Sequence, residues 1–139
     1  MQATAHVFGS GVLCCLQNGI GNEALAAEWA PAVLAGSTLV GGHVAAPGHV
    51  VFDTEGQTWL GPDEHGSATL SQAGEFAAML NRAGLTTEAV QDPRGVKWAK
   101  LIFNSAANPV CALSRLPFHS MYSQAGLREL SQGLAREGV

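Results

Sequence analysis

The sequence predicts an α/β fold in which a mostly parallel sheet is followed by helices. Apolar runs typical of buried strands alternate with helical patterns up to about residue 91, whereas helical patterns alone remain from Asp92 onward. The chain has 139 residues, of which 47% are hydrophobic and 13% charged, so it is long and apolar enough to build a core. We therefore expect a sheet domain over 1–91 and a helical region over 92–139.

Five segments have the patterns of strands. The run 11–17 (GVLCCLQ) is continuously apolar until its last residue, as expected of a strand buried on both faces. Further strands are predicted at 37–40, at 85–90 and in the pair 50–52 and 58–60. Because Glu55-Gly56 lies between the members of that pair, the sequence favours a hairpin closed at this dipeptide.

Four segments have the patterns of helices. One is predicted from Asn22 to Ala30, and a second from a Ser67 cap to Arg82, where Gly84 closes it. In a third, Asp92 is the N-cap, Pro93 is the first helical residue, and the helix continues to Pro109. The last is predicted over 123–136. A sheet that begins at a buried strand, followed by only two long helices, is expected to be the middle of a larger enzyme.

Composition and charge exclude several classes of function. The net charge of −4 and the lack of any Lys/Arg cluster argue against a nucleic-acid or anionic-membrane partner. Three cysteines, two of them adjacent, do not suggest a disulfide framework, and the histidines lack the spacing of a metal site. With neither a signal peptide nor an apolar run of about 20 residues, the sequence predicts a cytoplasmic protein.

The predicted third helix carries a polar stripe. Lys100, Asn104 and Asn108 recur every four residues and therefore share one face of the helix. An ammonium group beside two carboxamides can orient a small polar ligand, and burying these groups is costly unless each finds a partner. The alternative is a solvent-facing stripe in which Lys100 extends to water.

Two glycine-containing segments are candidate cofactor contacts. The letters of 19–24 (GIGNEA) match the G-x-G-x-x-A dinucleotide fingerprint, but the run 37–42 supplies no acidic residue for a ribose. The alternative is a tight connection between a strand and a helix. Asn18 follows a buried strand at the edge where α/β sheets bind ligands, and the pairs 41–42 and 47–48 would let a cofactor approach the backbone.

Three motifs together resemble one enzyme family. Residues 16–23 (LQNGIGNE), 47–48 (PG) and 98–109 (WAKLIFNSAANP) are similar in order and spacing to ketopantoate reductase, which is 2-dehydropantoate 2-reductase. The resemblance implies an NADPH-dependent reduction of 2-dehydropantoate, a 2-oxo acid, to pantoate for coenzyme A synthesis. It also implies a Rossmann-like nucleotide-binding domain, of which 1–91 is the C-terminal part, and a helical substrate domain that begins at residue 92.

The resemblance assigns roles to individual residues. Lys100 matches the family's proton donor, and Asn104 and Asn108 match residues that hold the substrate. Asn18 matches a residue that contacts both cofactor and substrate, and Gly42 matches a backbone contact to the cofactor. Hydride transfer to a ketone leaves negative charge on its oxygen, which a lysine ammonium stabilises and protonates, and burial lowers the lysine pKa towards the working range.

The sequence also departs from the family. The Gly-rich nucleotide loop of the family's first domain and the later substrate-binding serine and acidic residue are absent, and Phe118 replaces a residue that is often polar. We therefore expect a truncated segment whose NADPH site is incomplete and which binds NADPH weakly when alone. Two alternatives stay open: a non-catalytic remnant that associates into a homo-oligomer, and a dehydrogenase of another 2-oxo acid.

Overall fold

The computed structural model describes residues 11–138, which form two compact units. The first unit extends to Lys97 and the second begins at Trp98. The sheet of the first unit has four strands: β1 (Val12–Cys15), β2 (Ala32–Thr38), β5 (Thr58–Pro62) and β6 (Thr87–Ala89), in the spatial order β1-β2-β5-β6. A separate two-stranded sheet consists of β3 (Gly41–Ala46) and β4 (His49–Thr54).

The four-stranded sheet combines parallel and antiparallel pairs. β1 pairs with β2 and β5 pairs with β6 in parallel, whereas β2 and β5 are antiparallel, with Gly36 opposite Leu60. The predicted α/β class with parallel strands is therefore confirmed, and the structure adds one antiparallel pair at the centre of the sheet. Because β2 and β5 run in opposite directions, the carboxyl ends of β1 and β2 lie at the edge opposite to those of β5 and β6.

The predicted hairpin around Glu55-Gly56 is wrong. β4 pairs with β3 through a turn at Pro47-Gly48, and β5 pairs instead with β2 and β6. Gly48 has a φ of 77°, a backbone conformation that favours glycine and so marks the tight turn. The Glu55-Gly56 segment is the connection by which the chain passes from one sheet to the other. Residues typical of turns occur both at Pro47-Gly48 and at Glu55-Gly56. Only the pairing of the flanking strands shows which of the two segments closes the hairpin.

Between residues 11 and 97, the first unit contains two helices and the start of a third. α1 (Asn22–Ala27) is six residues long, so it ends three residues earlier than predicted. It packs on β1 and β2, where Cys15, Ala26, Ala30 and Val33 form a buried cluster. α2 (Leu70–Arg82) is capped by Thr69 rather than by the predicted Ser67. Thr69 and Gln72 form a complete capping box, a reciprocal arrangement that Ser67 does not offer because its hydroxyl donates to the Pro31 carbonyl.

α3 (Arg94–Ser114) begins in the first unit and continues through the second. It starts one residue later than predicted, but the Asp92 carboxylate still accepts a hydrogen bond from the Arg94 backbone N–H at 2.9 Å, so the capping role holds. The helix extends beyond Pro109 to Ser114, five residues further than the sequence predicted. Arg115 then adopts a φ of 57°, which ends the helix.

The second unit is helical. After α3 come α4 (Ser120–Ser123) and α5 (Ala125–Glu137), close to the helix predicted over 123–136. Ala107 and Val110 of α3 pack on Met121 of α4 to form the buried cluster of this unit, with Leu127 and Leu134 of α5 against it. Small residues on α3 let the later helices approach closely, which is why this segment folds as a helical layer.

Candidate functional site

The structure places the predicted polar stripe on α3. Lys100, Asn104 and Asn108 all lie in this helix within the second unit, and their four-residue spacing puts them on one face. Lys100 and Asn104 are partly buried, whereas Asn108 is exposed. The stripe therefore passes from a sheltered end at Lys100 to a solvated end at Asn108.

The environment of Lys100 favours loss of its proton. Burial lowers the pKa of the Lys100 ammonium group below its usual value of 10.5, because the charged form loses hydration. This is the direction that the sequence predicted for an acid that works near neutral pH. Lys100 is only partly buried, so the alternative in which its amine extends to water stays open.

Asn18 lies just after the carboxyl end of β1, in the first unit. Its side chain is exposed, and its backbone carbonyl accepts a hydrogen bond from Asn22 Nδ2 at 3.2 Å. Gly19 and Gly21 have φ values of 86° and 89°, a conformation that costs other residues energy. The segment 17–21, which we call the Asn18 turn, is thus a tight connection that presents an amide at the ligand-binding edge of a parallel strand pair.

Gly42 lies in a different place from the one predicted. The sequence put Gly41-Gly42 in a loop after a strand, whereas both residues belong to β3 of the two-stranded sheet. A Cβ at Gly42 would lie 2.7 Å from the Val51 carbonyl oxygen of β4. The glycine is therefore explained by close packing within the hairpin, at a point where the strand register shifts. Its contact with a cofactor stays a prediction.

The fingerprint at 19–24 has the strand, turn and helix of a dinucleotide site but not its electrostatics. The helix that follows the glycines has six residues, and Glu23 in its first turn is buried. A helix this short has a weak dipole for a phosphate, and the strand that follows, β2, carries no acidic residue for a ribose. The structure supports the alternative interpretation, in which the two glycines make a tight connection.

Sequence reasoning missed a buried ion pair. Lys97 Nζ donates a hydrogen bond to Glu23 Oε1, and the two side chains are only 6% and 5% exposed. Both residues belong to the first unit, where Lys97 lies in the first turn of α3 and Glu23 in the first turn of α1. Glu23 had been treated as part of the glycine motif alone. No local signal identifies the pair, because Glu23 and Lys97 are 74 residues apart in sequence.

Cys14 and Cys15 lie near this ion pair. Burial raises the pKa of the Cys14 thiol to about 11, with smaller contributions from the neighbouring Cys15 and from Glu23. Burial and Glu23 also raise the pKa of Cys15. All three cysteines of the chain are free. The thiols of β1 are therefore neutral at physiological pH and do not act as nucleophiles.

Two other features were sought among the described residues, a metal-binding cluster and a membrane-spanning helix. Within 11–138, no group of three or more histidine, cysteine, aspartate or glutamate side chains could hold a metal ion. None of the helices in the same range has the length and apolar character that a membrane crossing requires.

Comparison with known families assigns both parts of the chain. Residues 1–65 match the model of "Ketopantoate reductase PanE/ApbA", and residues 92–139 match the model of its C-terminal domain. The two matches come from one family, in the order that a single polypeptide requires, and together they cover most of the chain. The chain therefore belongs to the ketopantoate reductase family.

Relatives and solved structures agree with this assignment. The chain is 37% identical over 129 residues to 2-dehydropantoate 2-reductase of Archaeoglobus fulgidus and 34% identical over 123 residues to that of Pyrococcus horikoshii. It spans 43% and 40% of the lengths of these two relatives, although 93% and 88% of the chain is aligned.

Two solved structures resemble the fold. The structure of 2-dehydropantoate 2-reductase from Geobacter metallireducens superimposes with a TM-score of 0.78 at 29% identity, covering 90% of the chain and 42% of that protein. D-mandelate dehydrogenase in complex with NADH gives a TM-score of 0.89 over 99% of the chain and 46% of that protein. Its identity is 19%, so this second likeness concerns the fold alone.

Proposed function

We propose that the chain is the central segment of an NADPH-dependent 2-dehydropantoate 2-reductase, with Lys100 as the proton donor. The observation that carries this proposal is the partly buried Lys100 on α3, whose pKa is lowered by burial, in a chain that belongs to the ketopantoate reductase family. An amine of lowered pKa gives up its proton more readily than an ordinary surface lysine. The domain division at residue 92 is part of the same proposal.

Lys100 stabilises and then protonates the carbonyl oxygen of the substrate. A nicotinamide cofactor, held in part by Asn18, would supply the hydride to the carbonyl carbon, and negative charge would then develop on the carbonyl oxygen beside Lys100. The Lys100 ammonium offsets that charge and donates its proton to the oxygen, which becomes the hydroxyl of the product. A partly desolvated ammonium acts more strongly here than a fully hydrated one, because the charge that it faces is less screened.

The asparagines of α3 orient the substrate. Asn104 and Asn108 lie one and two helical turns beyond Lys100, so their amides extend along the same face as the amine. Amide N–H groups donate to a carboxylate, and amide oxygens accept from a hydroxyl, which are the polar groups of a 2-oxo acid bearing a hydroxyl substituent. Their neutral hydrogen bonds fix the substrate without adding charge beside Lys100.

Asn18 is the described group best suited to a nicotinamide cofactor. Its exposed amide lies at the carboxyl end of β1, where the ligands of open α/β sheets bind, and it can exchange hydrogen bonds with a ribose or a carboxamide. We also propose that the backbone of Gly42 contacts the cofactor. The helix after the Asn18 turn has only six residues, so its N-terminus offers a pyrophosphate a weak dipole. The chain alone should therefore bind NADPH weakly.

The partners follow from the same proposal. We expect a small 2-oxo acid as substrate, a nicotinamide cofactor with NADPH preferred, a cytoplasmic enzyme and association into a homo-oligomer. Nothing in the charge pattern favours a nucleic-acid partner.

A chimera tests the catalytic role of Lys100. The segment of the Archaeoglobus fulgidus enzyme that aligns with this chain is replaced by the chain itself, and NADPH-dependent reduction of 2-dehydropantoate is measured. Lys100→Ala should lower kcat by about 100-fold or more while KM changes much less. The matched control is Arg136→Ala, which removes an exposed cation from α5 of the same unit and should leave kcat unchanged. A folded chimera whose kcat is unaffected by Lys100→Ala would remove Lys100 from the mechanism.

One observation favours a second candidate substrate. Phe118 packs against Phe103 and Tyr122, with ring centroids 5.4 and 5.5 Å away. Such an aromatic cluster suits an apolar group better than a hydroxyl. A panel of 2-oxo acids on the same chimera separates the two: higher kcat/KM for an aromatic 2-oxo acid than for 2-dehydropantoate would identify a related dehydrogenase.

A further inference from the structure

The ion pair between Glu23 and Lys97 is the one buried charge pair among the described residues, and the chemistry proposed for Lys100 does not use it. In each of the other ion pairs found among the described residues, at least one of the two side chains is two-fifths or more exposed to solvent. Exposed pairs of that kind contribute little, because water and salt screen them. Glu23 and Lys97 are instead enclosed, and each is the other's compensating charge.

A gain in folding stability does not explain why this ion pair is buried. Taking a carboxylate and an ammonium out of water is costly, and their attraction roughly repays that cost. Apolar residues of similar size at both positions would hold the unit together at least as well. What an ion pair adds is direction, because a hydrogen-bonded pair fixes the relative position of the two elements that carry it, whereas apolar side chains tolerate sliding.

The two elements joined are the Asn18 turn and the start of α3. Glu23 follows the turn directly, two residues after Gly21 and five after Asn18. The turn itself has little packing: Gln17, Asn18, Ile20 and Gly21 are exposed, and Ile20 is 46% accessible to solvent. A Cβ at Gly19 or Gly21 would meet no atom within 4 Å, so no other part of the described chain packs against the turn at these two positions. Glu23 therefore provides an anchor at the point where the turn enters the folded core.

The groups around the pair do not replace either charge. Cys14 and Cys15 of β1 interact electrostatically with both Glu23 and Lys97, and their thiols are neutral because burial raises the pKa of each. Glu23 thus remains the compensating anion for Lys97. Asp63 also acts on Cys15, as a weaker and more distant negative charge.

We propose that the Glu23–Lys97 ion pair is a positioning pair, which holds the Asn18 turn in one conformation against the first turn of α3. This inference deepens the proposed function, since the Asn18 turn is where that function places the cofactor. Neither residue touches the substrate in this account. Their role is to order the exposed amide so that it need not be immobilised when the ligand binds.

Nuclear magnetic resonance on the 139-residue chain tests the proposal without any activity measurement. The double variant Glu23→Leu/Lys97→Met removes both charges at similar volume. Its urea midpoint should equal or exceed that of the wild type, while backbone order parameters of 18–21 should fall from about 0.85 to below about 0.6. Arg94→Met, which removes an exposed pair from the same turn of α3, is the control and should leave the order parameters unchanged.

Each outcome decides the proposal. If the double variant folds and the Asn18 turn stays as ordered as in the wild type, the pair does not position the turn. If the double variant fails to fold, the pair is a stability element, and the proposal is again overturned. Glu23→Gln, which removes only the charge and keeps an acceptor for Lys97, should give intermediate order. Because none of these readouts involves NADPH or 2-dehydropantoate, an inactive chimera would contradict the proposed function and leave this inference intact.

Discussion

The two lysines of this chain lie three residues apart on one helix and have opposite environments. Lys97 is 7% exposed and bound to the carboxylate of Glu23 in the first unit. Lys100 belongs to the second unit, where its side chain is partly buried and burial lowers its pKa. Residues three apart on a helix differ in direction by about 60°, which is enough to place one side chain inside a core and the other on a polar stripe.

The difference shows how one residue type serves two purposes. An ammonium group that is buried against a carboxylate is structural, because its charge is required to compensate another. An ammonium group whose charged form is disfavoured by burial can give up its proton, and so it suits acid chemistry. The comparison therefore assigns the positioning role to Lys97 and the chemical role to Lys100.

The largest expected effect is a difference in stability between matched variants of the two lysines. Lys97→Met leaves Glu23 buried without its cation and should lower the free energy of unfolding by roughly 3–5 kcal/mol. Lys100→Met removes a partly desolvated charge from a half-exposed position and should change it by less than about 1 kcal/mol. Urea denaturation of both variants measures the contrast, and equal losses would show that the environments do not differ as described.

Glycine substitutions sharpen the comparison at the turn next to Glu23. Gly19→Ala places a side chain at a φ of 86° and should destabilise the chain by about 1–2 kcal/mol. Gly74→Ala is the matched control, because Gly74 lies inside α2 with open space around its Cβ and should stabilise the chain by about 0.5–1 kcal/mol. A neutral effect of Gly19→Ala on thermal unfolding would show that the turn does not have this conformation.

Alkylation of Cys14 probes the surroundings of the ion pair. A pKa of about 11 instead of 9.0 lowers the thiolate fraction about 100-fold at pH 8, and the greater nucleophilicity of the thiolate offsets part of this loss. We expect iodoacetamide to modify Cys14 about tenfold more slowly than a free cysteine, as followed by peptide mass spectrometry. Modification at the rate of the free amino acid would contradict the burial of β1.

The same pKa gives a pH dependence of stability with a defined sign. Between pH 9 and about 11 the unfolded chain loses the Cys14 proton and the folded chain retains it, so stability falls as the pH rises through this range. Cys14→Ala should show a smaller fall than the wild type in urea midpoints taken at pH 8.5 and 10.5. The difference between the two chains isolates Cys14 from the other groups that titrate there.

Local patterns in the sequence predicted much of the fold. The strand at 11–17, the helix closed by Gly84, and the long helix started by Asp92 all appear close to their predicted places. The two helices have their start or stop signals in adjacent residues, and the strand is marked by its continuous apolar run. The hairpin failed for the opposite reason: β5 finds its partners in β2 and β6, and no property of Glu55-Gly56 reveals that choice.

The candidate site was predicted unevenly. The stripe from Lys100 to Asn108 follows from helical spacing, so the sequence sufficed to place its members on one helix. Glu23 and Lys97 are 74 residues apart in sequence, and only the tertiary structure brings them together. The sequence places Gly42 after a strand, because glycine is uncommon inside strands. The structure places it within β3, where the close approach of the Val51 carbonyl oxygen leaves no room for a Cβ.

A titration of the Lys100 side chain shows directly whether burial disfavours its ammonium form. The chain contains two lysines, so selective ¹⁵N and ¹³C labelling gives two side-chain signals, which Lys97→Met and Lys100→Met assign. The account predicts that the Lys100 signal titrates with a midpoint below 10.5, because burial disfavours its charged form. A midpoint at or above 10.5 would show that the amine retains its proton as an ordinary surface lysine does, and Lys100 would lose its proposed role as the acid.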